Sequence, residues 1–179
     1  MYFELKTDRL ILQPLNIKDL ITVHAYASDL ENTKYMIHLP NDTIEETSQF
    51  LNRVTDEWKK DEPSFYEFAI KLNGKQIGAV SVSLNKQQTE GELGWILNKN
   101  YWGNGYATEA AMAVKDFAVN KLKVSILVAH CDYRNTASCN VMKKIGLTLV
   151  KDNGVRQYPK TSETARELMY SFINTEKLA

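Results

Sequence analysis

Glu92-Leu93-Gly94-Trp95-Ile96-Leu97-Asn98-Lys99-Asn100-Tyr101-Trp102-Gly103-Asn104-Gly105-Tyr106-Ala107-Thr108-Glu109-Ala110 runs from an apolar strand, through a loop, to two glycines at the start of an amphipathic helix. Unpaired backbone N–H groups collect at a helix N-terminus, where the macrodipole also favours negative charge. Glycine takes positive φ without strain and lets a ligand come close to the backbone. A cradle for a diphosphate follows in principle. Spacing alone leaves three readings open: a helix start whose glycines serve turn geometry only, a dinucleotide site of the Rossmann kind, and a coenzyme A site. The second fits poorly. Thr108 stands where its third glycine belongs, no acidic residue is well placed about 20 residues on, and repeated strand–helix units are missing. No Gly-Lys-Ser/Thr follows, which excludes a P-loop.

Outward from this stretch, a strand covers about Glu90 to Leu97 and a helix about Gly105 to Lys121. The buried stripe of that helix is Ala107, Ala110, Ala111, Val114, Phe117 and Ala118. Val124 to His130 is the next strand, so this unit demands a parallel pair with a crossover helix. Upstream, Phe65 to Leu72 and Lys75 to Leu84 flank Asn73-Gly74, a pairing suited to a tight type I′ hairpin. Arg9 to Leu15 is the first strand, and Pro14 assigns it to an edge. Asn16 caps a helix over Ile17 to Ala27. Thr43-Ile44-Glu45-Glu46 is a capping box opening a helix to about Lys59. Downstream, Asn135 caps a short helix ending at Ile145, with Gly146 as its left-handed cap. Leu147 to Lys151 and Glu167 to Ile173 are the last strands. The expected architecture is α/β: a mixed, mostly antiparallel sheet of about seven strands with a central parallel splayed pair and helices on both faces. Residues 1–179 are expected to form one domain.

The central stretch resembles the coenzyme A motif of the GNAT superfamily of N-acetyltransferases, Gln/Arg-x-x-Gly-x-Gly/Ala. Gly103 and Gly105 match, while Asn100 replaces the usual Gln or Arg. Trp102-Gly103-x-Gly105-Tyr106-Ala107-Thr108-Glu109-Ala110 is similar in particular to the branch that acetylates ribosomal-protein N-termini. So are Thr7-x-Arg9-Leu10-x-Leu12 and Asn135-x-x-Ser138-x-x-Val141-Met142-x-x-x-Gly146-Leu147. The likeness spans nearly the whole chain. It implies acetyl-CoA as co-substrate, an acetyl group passed directly to a primary amine, and no metal. It also implies that the two central strands splay around the pantetheine arm. The backbone of Ile96 and Leu97 would pair with that arm. The amides of Gly103, Asn104, Gly105, Tyr106 and Ala107 would hold the pyrophosphate, and Asn135 would lie near the arm or sulfur.

Amine acetylation needs a neutral amine, a donor for the oxyanion and a way for the thiolate to leave. Many relatives use a tyrosine as acid where this chain has Met142. Ser138, three, four and seven residues before Val141, Met142 and Ile145, is the substitute, set against a serine that bonds back to its helix. Glu92 is the leading base, its pKa expected to rise with partial burial. Glu90 and Glu67 are alternatives, and His130 an outside candidate. Tyr35-Met36-Ile37-His38 and the loop from Asp152 to Thr164 are expected to wall the acceptor cleft. The acceptor is tilted toward a protein or peptide α-amine, with polyamines, amino acids and antibiotics as other amines. The missing tyrosine and Gln/Arg also fit a coenzyme-binding module without turnover.

Composition agrees with such a protein. Of 179 residues, 44% are hydrophobic, and 22 Lys plus Arg balance 22 Asp plus Glu. A neutral chain lacks the basic surplus that nucleic-acid binding needs. Cys131 and Cys139 lack the His partners of a zinc site. Neither a signal peptide nor a membrane-length apolar run is present, so a cytoplasmic monomer or homodimer is expected.

Overall fold

The computed structural model describes residues 3–175; Met1, Tyr2 and residues 176–179 of the expected domain lie outside the described residues. The elements are β1 (Leu5–Lys6), β2 (Leu10–Pro14), α1 (Leu20–Ala27), α2 (Leu30–Thr33), α3 (Ile44–Glu57), β3 (Phe65–Leu72), β4 (Lys75–Leu84), β5 (Glu90–Leu97), α4 (Tyr106–Asn120), β6 (Ile126–Asp132), α5 (Thr136–Lys144), β7 (Thr148–Tyr158) and β8 (Glu163–Ile173). All eight strands join one sheet in the order β1-β2-β3-β4-β5-β6-β8-β7, antiparallel except for β5 against β6.

Local chemistry accounts for most of these elements. Asn73 and Gly74 take φ of 49° and 79°, the left-handed pair that a type I′ turn requires. Asn16 and Asp19 form a reciprocal capping box at a 3₁₀ turn ahead of α1. At α3, Thr43 accepts from the Glu46 N–H at 3.2 Å, but the Glu46 carboxylate reaches back to the N–H of Asp42 rather than the cap. Alternation along β3 divides the two faces. Tyr66 and Phe68 meet Phe117 of α4, ring centroids 5.5 Å away in each case. Glu67, between them, points to the opposite face, where Tyr26 of α1 feels its charge. Trp58, Tyr66, Phe68 and Phe117 pack edge-on into a buried aromatic cluster. Truncating fully buried Phe68 would cost about 3–5 kcal/mol.

Several expectations change. The sheet has eight strands rather than about seven, because two-residue β1 pairs outside β2 and removes β2 from the edge. β6 begins at Ile126, not Val124; the Val124 N–H closes the exit of α4 on the Ala118 carbonyl. The short helix α2 lacked a sequence signal beyond its cap, Asp29, which accepts from the Asn32 N–H at 2.8 Å. Much of the expected loop from Asp152 to Thr164 belongs to the β7–β8 hairpin. β7 is the exposed outer strand, and bulges interrupt its register, so its sequence carries no period-two apolar pattern.

The decisive feature is where β5 and β6 stop pairing. Their parallel ladder holds Glu90↔Ile126, Gly91↔Leu127 and Glu92↔Val128, then ends. β5 continues on β4 to Leu97, and β6 continues on β8 to Asp132. The two strands therefore splay beyond Glu92, as the family likeness implied.

Candidate active site

A cavity of about 960 Å³ follows the splay from the glycine turn to the far ends of β6 and β8. At the turn, Gly103 and Gly105 have φ of 78° and 80°. Gly105 is the N-cap of α4 and offers no side-chain cap, and the Glu109 N–H bonds back to the Gly105 carbonyl at 3.0 Å. The preceding N–H groups at the start of α4 have no intrahelical partner and cluster at its positive end. That is the donor set a pyrophosphate needs, so the predicted stretch from Gly103 to Ala107, through Asn104, Gly105 and Tyr106, fits the group.

A latch that the spacing did not expose fixes the turn. Glu109 accepts from Arg9 Nε at 2.7 Å and from the Arg9 N–H at 2.9 Å. Arg9 Nη1 then donates to the Asn104 carbonyl at 3.0 Å, and its guanidinium lies 4.6 Å from the Tyr106 ring centroid. Thr7 adds its hydroxyl to Glu109 at 2.5 Å. The two motifs read separately, Thr7-x-Arg9 and the glycine turn, are one physical unit.

Along β5 the expected backbone partners need correction. The Asn98 N–H bonds to the Ile77 carbonyl at 2.9 Å. Antiparallel pairs alternate between bonded and non-bonded. With the β4–β5 register, this turns the N–H and C=O of Ile96 toward β4 and those of Trp95 and Leu97 toward the gap. Ile96 therefore contributes its side chain to the cavity wall, and Trp95 has the backbone position assigned to it. The Leu97 carbonyl does face the gap, but it already accepts from the Trp102 indole at 2.7 Å and Asn32 Nδ2 at 3.1 Å. Asn32 also accepts from the Lys99 N–H at 2.6 Å, so α2 is tied to the loop before the turn.

On α5, Asn135 Oδ1 accepts from the Ser138 N–H at 3.1 Å, a helix cap at the cavity wall. Ser138 also lines the cavity, and its hydroxyl makes no bond back to the helix among the described residues. Met142, where relatives place a tyrosine, is buried.

At the end of the cavity away from the glycine turn, Glu92 and His130 meet, with Oε1 3.0 Å from Nδ1. The hydrogen bond from His130 holds the Glu92 carboxyl below its usual range, the reverse of the expected rise, because the histidine outweighs desolvation. Glu92 raises His130 in turn. His130 is the more enclosed of the two, its side chain 25% exposed against 56% for Glu92. Register could have found this pair, since Val128 faces Glu92 and His130 lies two residues on. Glu90 is exposed at the start of β5, and Glu67 is buried outside this cavity's wall.

Other residues of this end were missed. Arg156 Nη1 donates to Glu167 at 2.8 Å and Nη2 to the Tyr35 carbonyl at 3.1 Å, while its buried Nε has no partner. Arg134 grips fully buried Asp132 through Nε at 2.9 Å and Nη2 at 2.6 Å, and Tyr158 donates to the same carboxylate at 2.7 Å. Burial pushes the Asp132 carboxyl up, yet these bonds bring it down to about 2. Tyr35, Met36 and Ile37 line the cavity as expected; His38 does not.

Comparison with known proteins agrees with this geometry. Residues 9–148 match the family model described as an acetyltransferase (GNAT) domain. YnaD of Bacillus subtilis, an uncharacterized N-acetyltransferase, is 28% identical over 173 residues, 95% of this chain and 96% of its own length. The spermidine N(1)-acetyltransferase of Escherichia coli is 24% identical over 140 residues, 77% of this chain and 72% of its own. The crystal structure of a GNAT-family acetyltransferase from Bacillus anthracis superposes with a TM-score of 0.79 at 28% identity, covering 96% of this chain and 98% of that one. None of these singles out the ribosomal-protein branch. With its glycine turn, its splayed sheet and the matched model, the chain belongs to the GNAT acetyltransferase family, enzymes that take their acetyl group from acetyl-CoA.

Proposed function

We propose that the protein acetylates a primary α-amine, that of a protein or peptide N-terminus, by direct transfer from acetyl-CoA. The observation that carries this is the splay beyond Glu92 and Val128, which opens one cavity from the glycine turn to the Glu92–His130 pair. The turn amides and Arg9 would fix the diphosphate. With Nδ1 engaged by Glu92, Nε2 of His130 is the nitrogen left to take a proton from the amine. The amine attacks the thioester carbonyl in its neutral form, His130 takes the proton that the nitrogen sheds as the amide forms, and the C–S bond breaks; Ser138 donates to the leaving thiolate and regains its proton from solvent. The cysteines have no required part.

Charge favours the α-amine over a polyamine. Among the described residues each carboxylate lining the cavity already has a partner: Glu92 has His130, Glu167 has Arg156, and Glu31 has Lys99, which it shares with Asp29. The unpaired Nε–H of Arg156 suits an acceptor with a carbonyl oxygen close to its amine. Buried Met142 supports a second reading, a coenzyme-binding module without turnover.

Thiol release from acetyl-CoA, measured with N-terminally varied peptides, amino acids and polyamines, separates these. Turnover with peptides above all others is expected. Preference for spermidine would overturn the α-amine assignment, and coenzyme binding without any turnover would leave the module.

A further inference from the structure

Buried Glu67 has no role in that scheme, yet it stands in line with the site. Register places Glu67 opposite Ser81, and Ser81 opposite Gly94, across β3, β4 and β5. Gly94 lines the cavity. A Cβ built on it would come within 3.0 Å of Ser81 Oγ. The backbone at Gly94 does not lie in the left-handed region, so conformation does not demand glycine there. Glycine in a strand interior costs about 0.5–1 kcal/mol relative to Ala. With no side chain at Gly94, only the position a Cβ would fill separates the buried Ser81 hydroxyl from the wall that Gly94 lines.

We propose that Ser81 and Glu67 form a proton exit for the acceptor amine: the ammonium donates to the Ser81 hydroxyl at Gly94 while Ser81 donates its own proton to the Glu67 carboxylate. The proposal rests on the acetyl-transfer reading above. Atom balance calls for such a second acceptor. An ammonium R–NH₃⁺ becomes an amide R–NH–acetyl and loses two protons; the thiolate takes one and one leaves. Glu67 receives the first, giving a neutral amine. His130 receives the second after the amine has attacked, and the C–S bond then breaks.

The surroundings suit that task. Burial pushes the Glu67 carboxyl up to about 8, and hydrogen bonding from Ser81 only partly offsets it. An α-amine titrates near ~8, so transfer between the two is close to balanced. No ion pair among the described residues includes Glu67. Among the described residues, Tyr26 of α1 is the titratable group that feels the charge of Glu67, and Asp19 at the start of that helix also acts on Tyr26. Glu92 and His130 lie beyond Gly94 on the cavity side.

The test is kcat at saturating amine against pH, with KM for acetyl-CoA, for the full chain and its Glu67→Gln, Ser81→Ala and Gly94→Ala variants. In the unmodified protein, kcat should rise with pH through about 8. Glu67→Gln and Ser81→Ala should lose that limb and about 10² in kcat, with KM for acetyl-CoA unchanged; Gly94→Ala should do the same by filling the Cβ position. A purely structural role would not remove one limb of the profile. Unaltered kcat and limb in Glu67→Gln overturn the relay and leave acetyl transfer standing. Absence of turnover in the unmodified protein overturns both. If Glu67→Gln does not fold, the other two variants decide alone: loss of the limb supports the relay, and its retention overturns it.

Discussion

The two ends of the cavity are built from different materials. The end we assign to the coenzyme presents main-chain amides at a turn, and its side chains Arg9 and Glu109 hold that turn. The end we assign to the acceptor is made of charged side chains, nearly all of which already have partners. Backbone donors are insensitive to most substitutions but fail when the backbone cannot take its angles. Paired side chains tolerate the reverse: the fold survives their exchange, while proton transfer and selectivity do not. The same difference explains how one family holds one cofactor and many acceptors.

The largest effect should come from the turn. Gly105→Val places a β-branched residue at φ of 80°, a strain of about 1–3 kcal/mol before any clash with the ligand. Coenzyme affinity should fall by about 10² or more, read by calorimetry, with little change in circular dichroism. Unchanged affinity would remove the turn from the site. His130→Asn comes next and should act on the other end alone: kcat down by about 10² with coenzyme affinity intact. A matched loss of both would erase the contrast between the two ends. Arg9→Ala tests whether the latch belongs to the coenzyme end. Losing its bonds to Glu109 and Asn104 should weaken coenzyme binding by about tenfold and leave acceptor KM alone. Ser138→Ala should cost kcat about fivefold, and a wild-type rate would eliminate it as acid.

The smallest effect is in stability. Folding raises the pKa of His130 above 6.5 and lowers that of Glu92 below 4.5. The pair's contribution is therefore full between those values. It is lost as pH rises through the folded value of His130, and as pH falls through that of Glu92. The Tm difference between the protein and its Glu92→Gln variant should peak in that window and vanish in alkali. A difference that persists in alkali would mean the pair does not hold its proton as described.

Legibility followed the same division. The hairpin bounds at Asn73-Gly74, the strand from Glu90 to Leu97 and the glycine turn all stood in the sequence, because each depends on residues next to one another. The last hairpin did not. β7 is a solvated outer strand with bulges, and nothing in its composition forces alternation. For Glu92 the expected environment was wrong: its neighbour His130 is 38 positions away, and pairing with it reversed the direction of the pKa shift. Arg156 was invisible for the same reason, as its partners Tyr35 and Glu167 come from elsewhere in the chain.

By itself the sequence determined the family, the strand–turn–helix that presents free amides, and the crossover that makes β5 and β6 parallel neighbours. These are local or near-local, set by glycine angles, caps and apolar spacing. Only the tertiary structure decided where the parallel ladder ends, which backbone groups face the gap, that Arg9 holds the turn, and which charged groups pair with one another along the cavity. Those depend on register between distant strands and on electrostatics at a few ångströms, quantities that chain order does not carry.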